Sequence, residues 1–229
     1  MKAIKKHWRL CCGLYVLIYL PWFFILERTI TPDTPDIHIL NNSIDSMIPF
    51  CVYFIIPYML WFIYIGVSVL IMGFRGTDSE FLRFALSLII GMSLCLMICM
   101  IYPNGLTLRP DINSLPDNIF GKLAMIIYAS DTPTNVFPSI HVYNSLAIHI
   151  ALAKCSYLKK YKWAKPASLI LCITICASTL FLKQHCVADV AGAAVLMAIL
   201  YIFIYVIDYR KVFKKDTQSD ESEEIGITN

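Results

Sequence analysis

Three short stretches of this chain carry side chains suited to phosphoryl transfer. Arg109-Pro110 comes first, Pro138-Ser139-Ile140-His141 second, and Lys183-Gln184-His185 with Asp189 third. A neutral imidazole can attack phosphorus and hold the phosphoryl group covalently, dividing one hard displacement into two easier ones. His185 is the candidate nucleophile. Asp189, four residues on, shares its face if a helix begins there, and its carboxylate can accept the other ring N–H and fix the tautomer. His141 is the candidate general acid and then base, giving a proton to the departing alkoxide and later taking one from water. Charge spreads over three equatorial oxygens during transfer, so fixed donors aimed there matter. Arg109 offers a planar fork, Lys183 a second cation and Ser139 a neutral donor. Asp111, Asp117 and Asp131 are spread along the intervening stretch without metal-ligand spacing, so neither a catalytic metal nor a cofactor is expected.

The elements that must position these groups are set by hydropathy. Of 229 residues, 58% are hydrophobic and 15% charged. Leu10 to Leu26, Ile48 to Met72, Phe84 to Tyr102, Pro166 to Leu182 and Val190 to Ile207 contain no Asp, Glu, Lys or Arg, and each reads as a spanning helix. Val136 to Ala153 reads as a sixth, although it carries His141 and His149; ionisable residues inside a membrane are costly and count as functional candidates. Continuous apolar runs fit helices and not the alternating strands of a barrel. The expectation is therefore an all-α polytopic protein, with a single six-helix transmembrane bundle over residues 1–215 and an acidic tail at 216–229 that lacks apolar residues to bury. The first run reads as a retained span, because Pro21-Trp22-Phe23-Phe24 is bulky and no small-residue cleavage pattern follows.

Basic residues set an expected orientation. Lys2, Lys5, Lys6 and Arg9, then Arg75 and Arg83, then Lys154, Lys159, Lys160, Lys162 and Lys165, then Arg210, Lys211, Lys214 and Lys215 all fall on one side of such a bundle. Arg28, Arg109, Lys122 and Lys183 remain on the other. The positive-inside rule puts both termini in the cytoplasm and the loops after the first, third and fifth helices outside. Arg109, His141, His185 and Asp189 then converge on the non-cytoplasmic face. The net charge of +3 is accounted for by topology and anionic headgroups, so membrane lipids are the expected surroundings and no nucleic-acid partner is called for.

Taken in order, Arg109-Pro110, then Asn135-Val136-Phe137-Pro138-Ser139-Ile140-His141, then Ser178 to Asp189 reading Ser-Thr-Leu-Phe-Leu-Lys-Gln-His-Cys-Val-Ala-Asp, resemble the three signature motifs of the type 2 phosphatidic acid phosphatase superfamily. The resemblance implies a metal-independent membrane lipid phosphatase or phosphotransferase working through a phosphohistidine, with a lipid phosphate as substrate and with Arg109, His141, His185 and Asp189 in the roles given above. Three positions depart from the pattern. Tyr102 stands where the first motif has lysine, Ile140 where the second has glycine, and Thr179 where the third has arginine. Two cations are missing, and Lys183 is the candidate to replace one. The Phe-Pro-Ser-x-His and Lys-Gln-His-x-x-x-Asp wording is most similar to the branch containing inositol phosphorylceramide synthases, which keeps transfer to a lipid alcohol open beside hydrolysis.

Other features read more plainly. His149, two turns beyond His141, fits a hydrogen-bonded core histidine; His7 and His38 fit solvated positions; Trp22, Trp61, Tyr58 and Tyr102 fit lipid-facing or interfacial anchors. The nine cysteines lie mostly in apolar spans with no Cys-x-x-Cys pair, so neither a disulfide framework nor a zinc site is expected. A non-catalytic lipid-binding or transport-like protein is the reading from another class, raised by the missing cations and opposed by the presence of His141, His185 and Asp189 together.

Overall fold

The computed structural model describes residues 2–207, with side chains from residue 8 onward. The tail at 216–229 and the basic residues Arg210, Lys211, Lys214 and Lys215 lie outside the described residues. Helices α1 (Lys2–Gly13) and α2 (Val16–Thr29) are followed by a short strand β1 (His38–Ile39) and helix α3 (Ser43–Met47). A 3-10 turn at Val52–Phe54 leads into α4 (Ile55–Arg75), and α5 (Asp78–Ile101) ends before strand β2 (Asn104–Gly105). Then come α6 (Ile119–Ser130), α7 (Ile140–Lys154), α8 (Ala164–Phe181) and α9 (Val187–Tyr201), which runs on into a π-helical turn at Ile202–Val206.

Among the described residues, five segments are long and apolar enough to cross a bilayer: Trp8–Thr29, Val52–Arg75, Asp78–Ile101, Ala164–Phe181 and Val187–Val206. The expected sixth run, Val136 to Ala153, is helical only from Ile140. The local reason is chemical. Pro138 disfavours a helical residue before it, and the Ser139 hydroxyl accepts from the Val142 N–H at 3.3 Å, an N-cap that fixes where the helix starts. The remaining 15 residues rise about 22 Å, less than the roughly 30 Å of a hydrocarbon core.

This short helix is the centre of the molecule. It packs against α8, α5, α9 and α4, and Val142, Tyr143, Ala147, Ile148, Ala151 and Leu152 are buried along it. Helices in lipid gain little from apolar burial against one another and rely on close fit, which small residues permit. Gly91 of α5 shows this: a Cβ there would lie 1.9 Å from the Tyr143 ring, whose hydroxyl donates to the Ser87 carbonyl at 2.8 Å. Outward faces keep large apolar side chains exposed, among them Leu17, Ile63, Phe74 and Ile170, as a lipid surround requires.

The two ends of the bundle differ. At one, Arg9 pairs with Asp78 at 2.6 Å and donates to the Gly73 carbonyl at 2.7 Å, while Arg83 reaches the Tyr205 carbonyl and Lys154 lies over the Tyr201 ring. At the other, β1 and β2 pair in parallel, His38 with Asn104, and Gly105 bridges to Thr134. Buried Asn104 accepts from the Val136 and Phe137 N–H groups at 2.9 and 2.8 Å and donates to the Tyr102 carbonyl, ordering the approach to Ser139.

Candidate active site

The turn between α8 and α9 sets up the first histidine. Gln184 and His185 both donate their backbone N–H to the Thr179 carbonyl, at 3.0 and 3.1 Å, and Lys183 takes the left-handed conformation with φ 55° that closes the helix end. Asp189 sits at the third position of α9, where a carboxylate suits unpaired backbone donors. Its Oδ2 accepts from the Cys186 N–H at 2.8 Å and lies 3.3 Å from His185 Nδ1. One carboxylate oxygen therefore caps the helix and orients the ring. His185 is 6% exposed and Asp189 is fully buried.

His141 lies in the first turn of α7, with Nδ1 3.5 Å from His185 Nε2. The neighbouring Ser139 backbone N–H donates to the Asp189 carbonyl at 3.2 Å, so the start of α7 is tied directly to the start of α9. Tyr58 and Trp61, three apart on α4, bracket the His141 ring at centroid distances of 4.6 and 4.4 Å. A single set of protons satisfies all these contacts. His185 donates Nδ1–H to Asp189, which leaves an Nε2 lone pair facing His141, and His141 carries its proton on Nδ1. Such an arrangement could present a lone pair for attack, with a carboxylate behind the ring and a proton donor in front.

Arg109 approaches from the loop after α5. It donates Nη2 to the Thr132 carbonyl at 2.9 Å and to the Gln184 side-chain oxygen, donates Nη1 to the Tyr128 carbonyl, and stacks over the Tyr128 ring at 4.7 Å. Nε is buried and has no partner among the described residues, which leaves one guanidinium N–H unused. Burial lowers the Arg109 pKa from its ordinary value, and the Asp131 carboxylate is the largest influence opposing that. Asp131 Oδ2 accepts from the Tyr58 hydroxyl at 2.8 Å and from Gln184 Nε2 at 3.5 Å. Gln184 thus couples Arg109 to Asp131 one residue before His185.

The other expected phosphate ligands are placed differently. Lys183 donates Nζ to the Asp45 carbonyl at 2.7 Å and to the Ile48 carbonyl, while Asp45 Oδ1 accepts from the Val187 N–H at 2.7 Å. This lysine fastens α3 to the His185 turn, and its contacts lie with those carbonyls. Ser139 is fully buried with its hydroxyl engaged as the α7 cap. Thr179, at the missing arginine position, is buried and donates its hydroxyl back to the Cys176 carbonyl. His149 bonds Ser168 at 3.0 Å in the helix interior, and His38 stacks on Tyr102 at 4.2 Å.

Both histidines open onto a cavity of about 270 Å³, whose walls include Tyr19, Phe23, Tyr58 and Trp61, with Ser130, Asp131 and Asn135 as further polar members. A larger groove of about 460 Å³ between α1–α2 and α4–α5 is almost wholly apolar and is not lined by either histidine, so the smaller cavity is the candidate site. Among the described residues, no three His, Cys, Asp or Glu side chains converge as a metal ligand set.

Sequence reasoning missed Tyr58, Trp61, Asn104, Asp131 and Gln184. Gln184 had a signal, its place beside His185; Tyr58 and Trp61 look like ordinary membrane aromatics, and nothing local marks Asn104.

No curated protein and no solved structure matches the chain. The PAP2 superfamily matches residues 81–213, a range that includes Arg109, His141, His185 and Asp189. Over half of the sequence is covered, including all three motif stretches, and the chain belongs to the PAP2 superfamily, an integral membrane protein of the lipid phosphatase and phosphotransferase type.

Proposed function

We propose that the protein hydrolyses a lipid phosphate ester or pyrophosphate through a phosphohistidine on His185, without a metal. The carrying observation is the 3.5 Å approach of His185 Nε2 to His141 Nδ1 with Asp189 behind the attacking ring. His185 Nε2 attacks phosphorus as the bond to the lipid oxygen breaks, and His141, entering this step as the imidazolium, gives that oxygen a proton and becomes neutral. Water then attacks phosphorus, the P–N bond breaks, His141 takes the proton and inorganic phosphate leaves. Arg109 offers Nε to the equatorial oxygens. The hydrocarbon chain lies along the aromatic wall of the cavity, and α7 serves as the sixth helix of the bundle.

The gathering of Arg9, Arg83 and Lys154 at the end opposite the histidines supports a site on the non-cytoplasmic face, with both termini in the cytoplasm. Trapping tests the reading: a lipid labelled in its phosphate should leave acid-labile label on the wild type and none on His185→Ala. Label retained on His185→Ala contradicts it.

A further inference from the structure

At the end of the bundle opposite His141 and His185, a groove of about 750 Å³ runs between α7, α8 and α9. Leu146, Ile150 and Ala153 of α7 form one side, and on the other the exposed Ala194 and Ala198 keep the surface of α9 low. Lys154, the last residue of α7, and Lys165, the second of α8, both line the end nearest the connection between those helices. The Lys154 ammonium lies over the Tyr201 and Tyr205 rings at 5.2 and 5.7 Å, and neither lysine has a carboxylate partner among the described residues. No Asp or Glu among the described residues lines the groove. His149, on the same wall, lies five residues before Lys154 and so about 7.5 Å deeper along α7. With the Tyr64 hydroxyl donating to Ser168 Oγ at 2.6 Å, Ser168 donates to His149 Nδ1 at 3.0 Å, and the His149 proton stands on Nε2, which has no partner among the described residues.

Two cations at the end of an apolar channel suit an anion that brings its own hydrocarbon. A second copy of this chain fits poorly, because a two-fold contact along this face sets the same lysines against each other with no acid between them. A phospholipid fits both parts, since basic pockets between membrane helices take anionic headgroups. We infer that this groove binds an anionic phospholipid of the leaflet opposite the candidate active site, its phosphate held by Lys154 and Lys165, an acyl chain laid along Ala194 and Ala198, and a glycerol ester carbonyl accepting from His149 Nε2. The bound lipid joins α7, which carries His141, to α9, which carries Asp189, and stabilises the bundle by mass action without entering the chemistry. Nothing in this site depends on the phosphohistidine reading. Each lysine beside an anionic headgroup corresponds to about a fivefold gain, and the pair to about a thirtyfold preference over a zwitterionic lipid with the same chains.

The test uses the full chain, delipidated in a neutral detergent, with dioleoyl phosphatidylglycerol, dioleoyl phosphatidylcholine and inorganic phosphate as probes, reading equilibrium binding and the melting temperature. Wild type is expected to bind phosphatidylglycerol about thirtyfold more tightly than phosphatidylcholine and to melt higher when it is bound. Lys154→Gln with Lys165→Gln should bring that ratio close to one, whereas Lys159→Gln with Lys162→Gln, which neutralises cations of the same connection outside the groove, should keep the larger part of it. Ala198→Trp fills the channel and should weaken both lipids. An unchanged ratio in the Lys154 and Lys165 variant, with folding verified by its melting temperature without lipid, overturns the site, as does an equal loss in the Lys159 and Lys162 variant, which would reduce the preference to a diffuse surface charge. Inorganic phosphate that binds and stabilises as well as the lipid overturns the role of the channel. A wild type that binds neither lipid here but self-associates, with association lost in Ala198→Trp, overturns the lipid in favour of a second copy.

Discussion

His185 Nε2 faces His141 Nδ1 at 3.5 Å, and the opposite edge of the same ring meets Asp189. The three groups come from two helix starts, α7 and α9, joined by the Ser139 N–H to Asp189 carbonyl hydrogen bond. Each partner then has a separable signature.

His141→Ala should slow turnover about a hundredfold or more for substrates with poor leaving groups, and far less for activated aryl esters that depart without a proton. A series of phosphate esters of graded leaving-group pKa checks this. Uniform slowing across the series would show that His141 is not the acid.

Asp189→Asn should lower kcat strongly while leaving KM within a few-fold, because the amide can turn an N–H toward His185 Nδ1 and favour the tautomer whose Nε2 cannot attack. It also weakens the cap on the Cys186 N–H, at a cost of roughly 1 kcal/mol. Steady-state kinetics and a melting curve separate the two effects; a change in melting alone contradicts the tautomer role.

Lys183 and Arg109 should separate cleanly. Lys183→Met leaves the Asp45 and Ile48 carbonyls without their donor, so a loss of about 1–3 kcal/mol in stability is expected. Arg109→Ala should act mainly on kcat/KM through lost phosphate stabilisation. A Lys183→Met protein of unchanged melting temperature but with kcat/KM reduced as far as by Arg109→Ala would make Lys183 a phosphate ligand after all.

Gly192 is the seat of Phe137. A Cβ there would come within 2.3 Å of the Phe137 ring, so Gly192→Val should overpack the joint between α9 and the approach to Ser139, costing about 1–3 kcal/mol together with activity. Phe137→Ala in the same chain should restore part of both. Failure of that second change to restore anything would place the damage elsewhere.

The candidate site was legible where chemistry sits in short motifs. Arg109, His141, His185 and Asp189 could be named from spacing, and apolar runs located the five long helices. What lay beyond reach depends on partners far apart in the chain. Lys183 looks like a free cation beside His185, yet the carbonyls of Asp45 and Ile48, five helices earlier in the chain, take its ammonium. Tyr58 and Trp61 match the composition of a lipid-facing anchor, and only the approach of α4 to α7 turns them toward His141. Hydropathy also extends α7 backwards through Val136, because an apolar residue scores alike whether its backbone is helical or held open by Asn104.

The most direct test of the account is phosphate loss from a panel of lipid phosphates in EDTA, by the purified wild type beside His185→Ala, counting inorganic phosphate and any new phosphate ester together. The account predicts EDTA-resistant loss from at least one lipid by the wild type and none by His185→Ala. Loss that persists in His185→Ala, or that vanishes in EDTA and returns with a divalent cation, would contradict it.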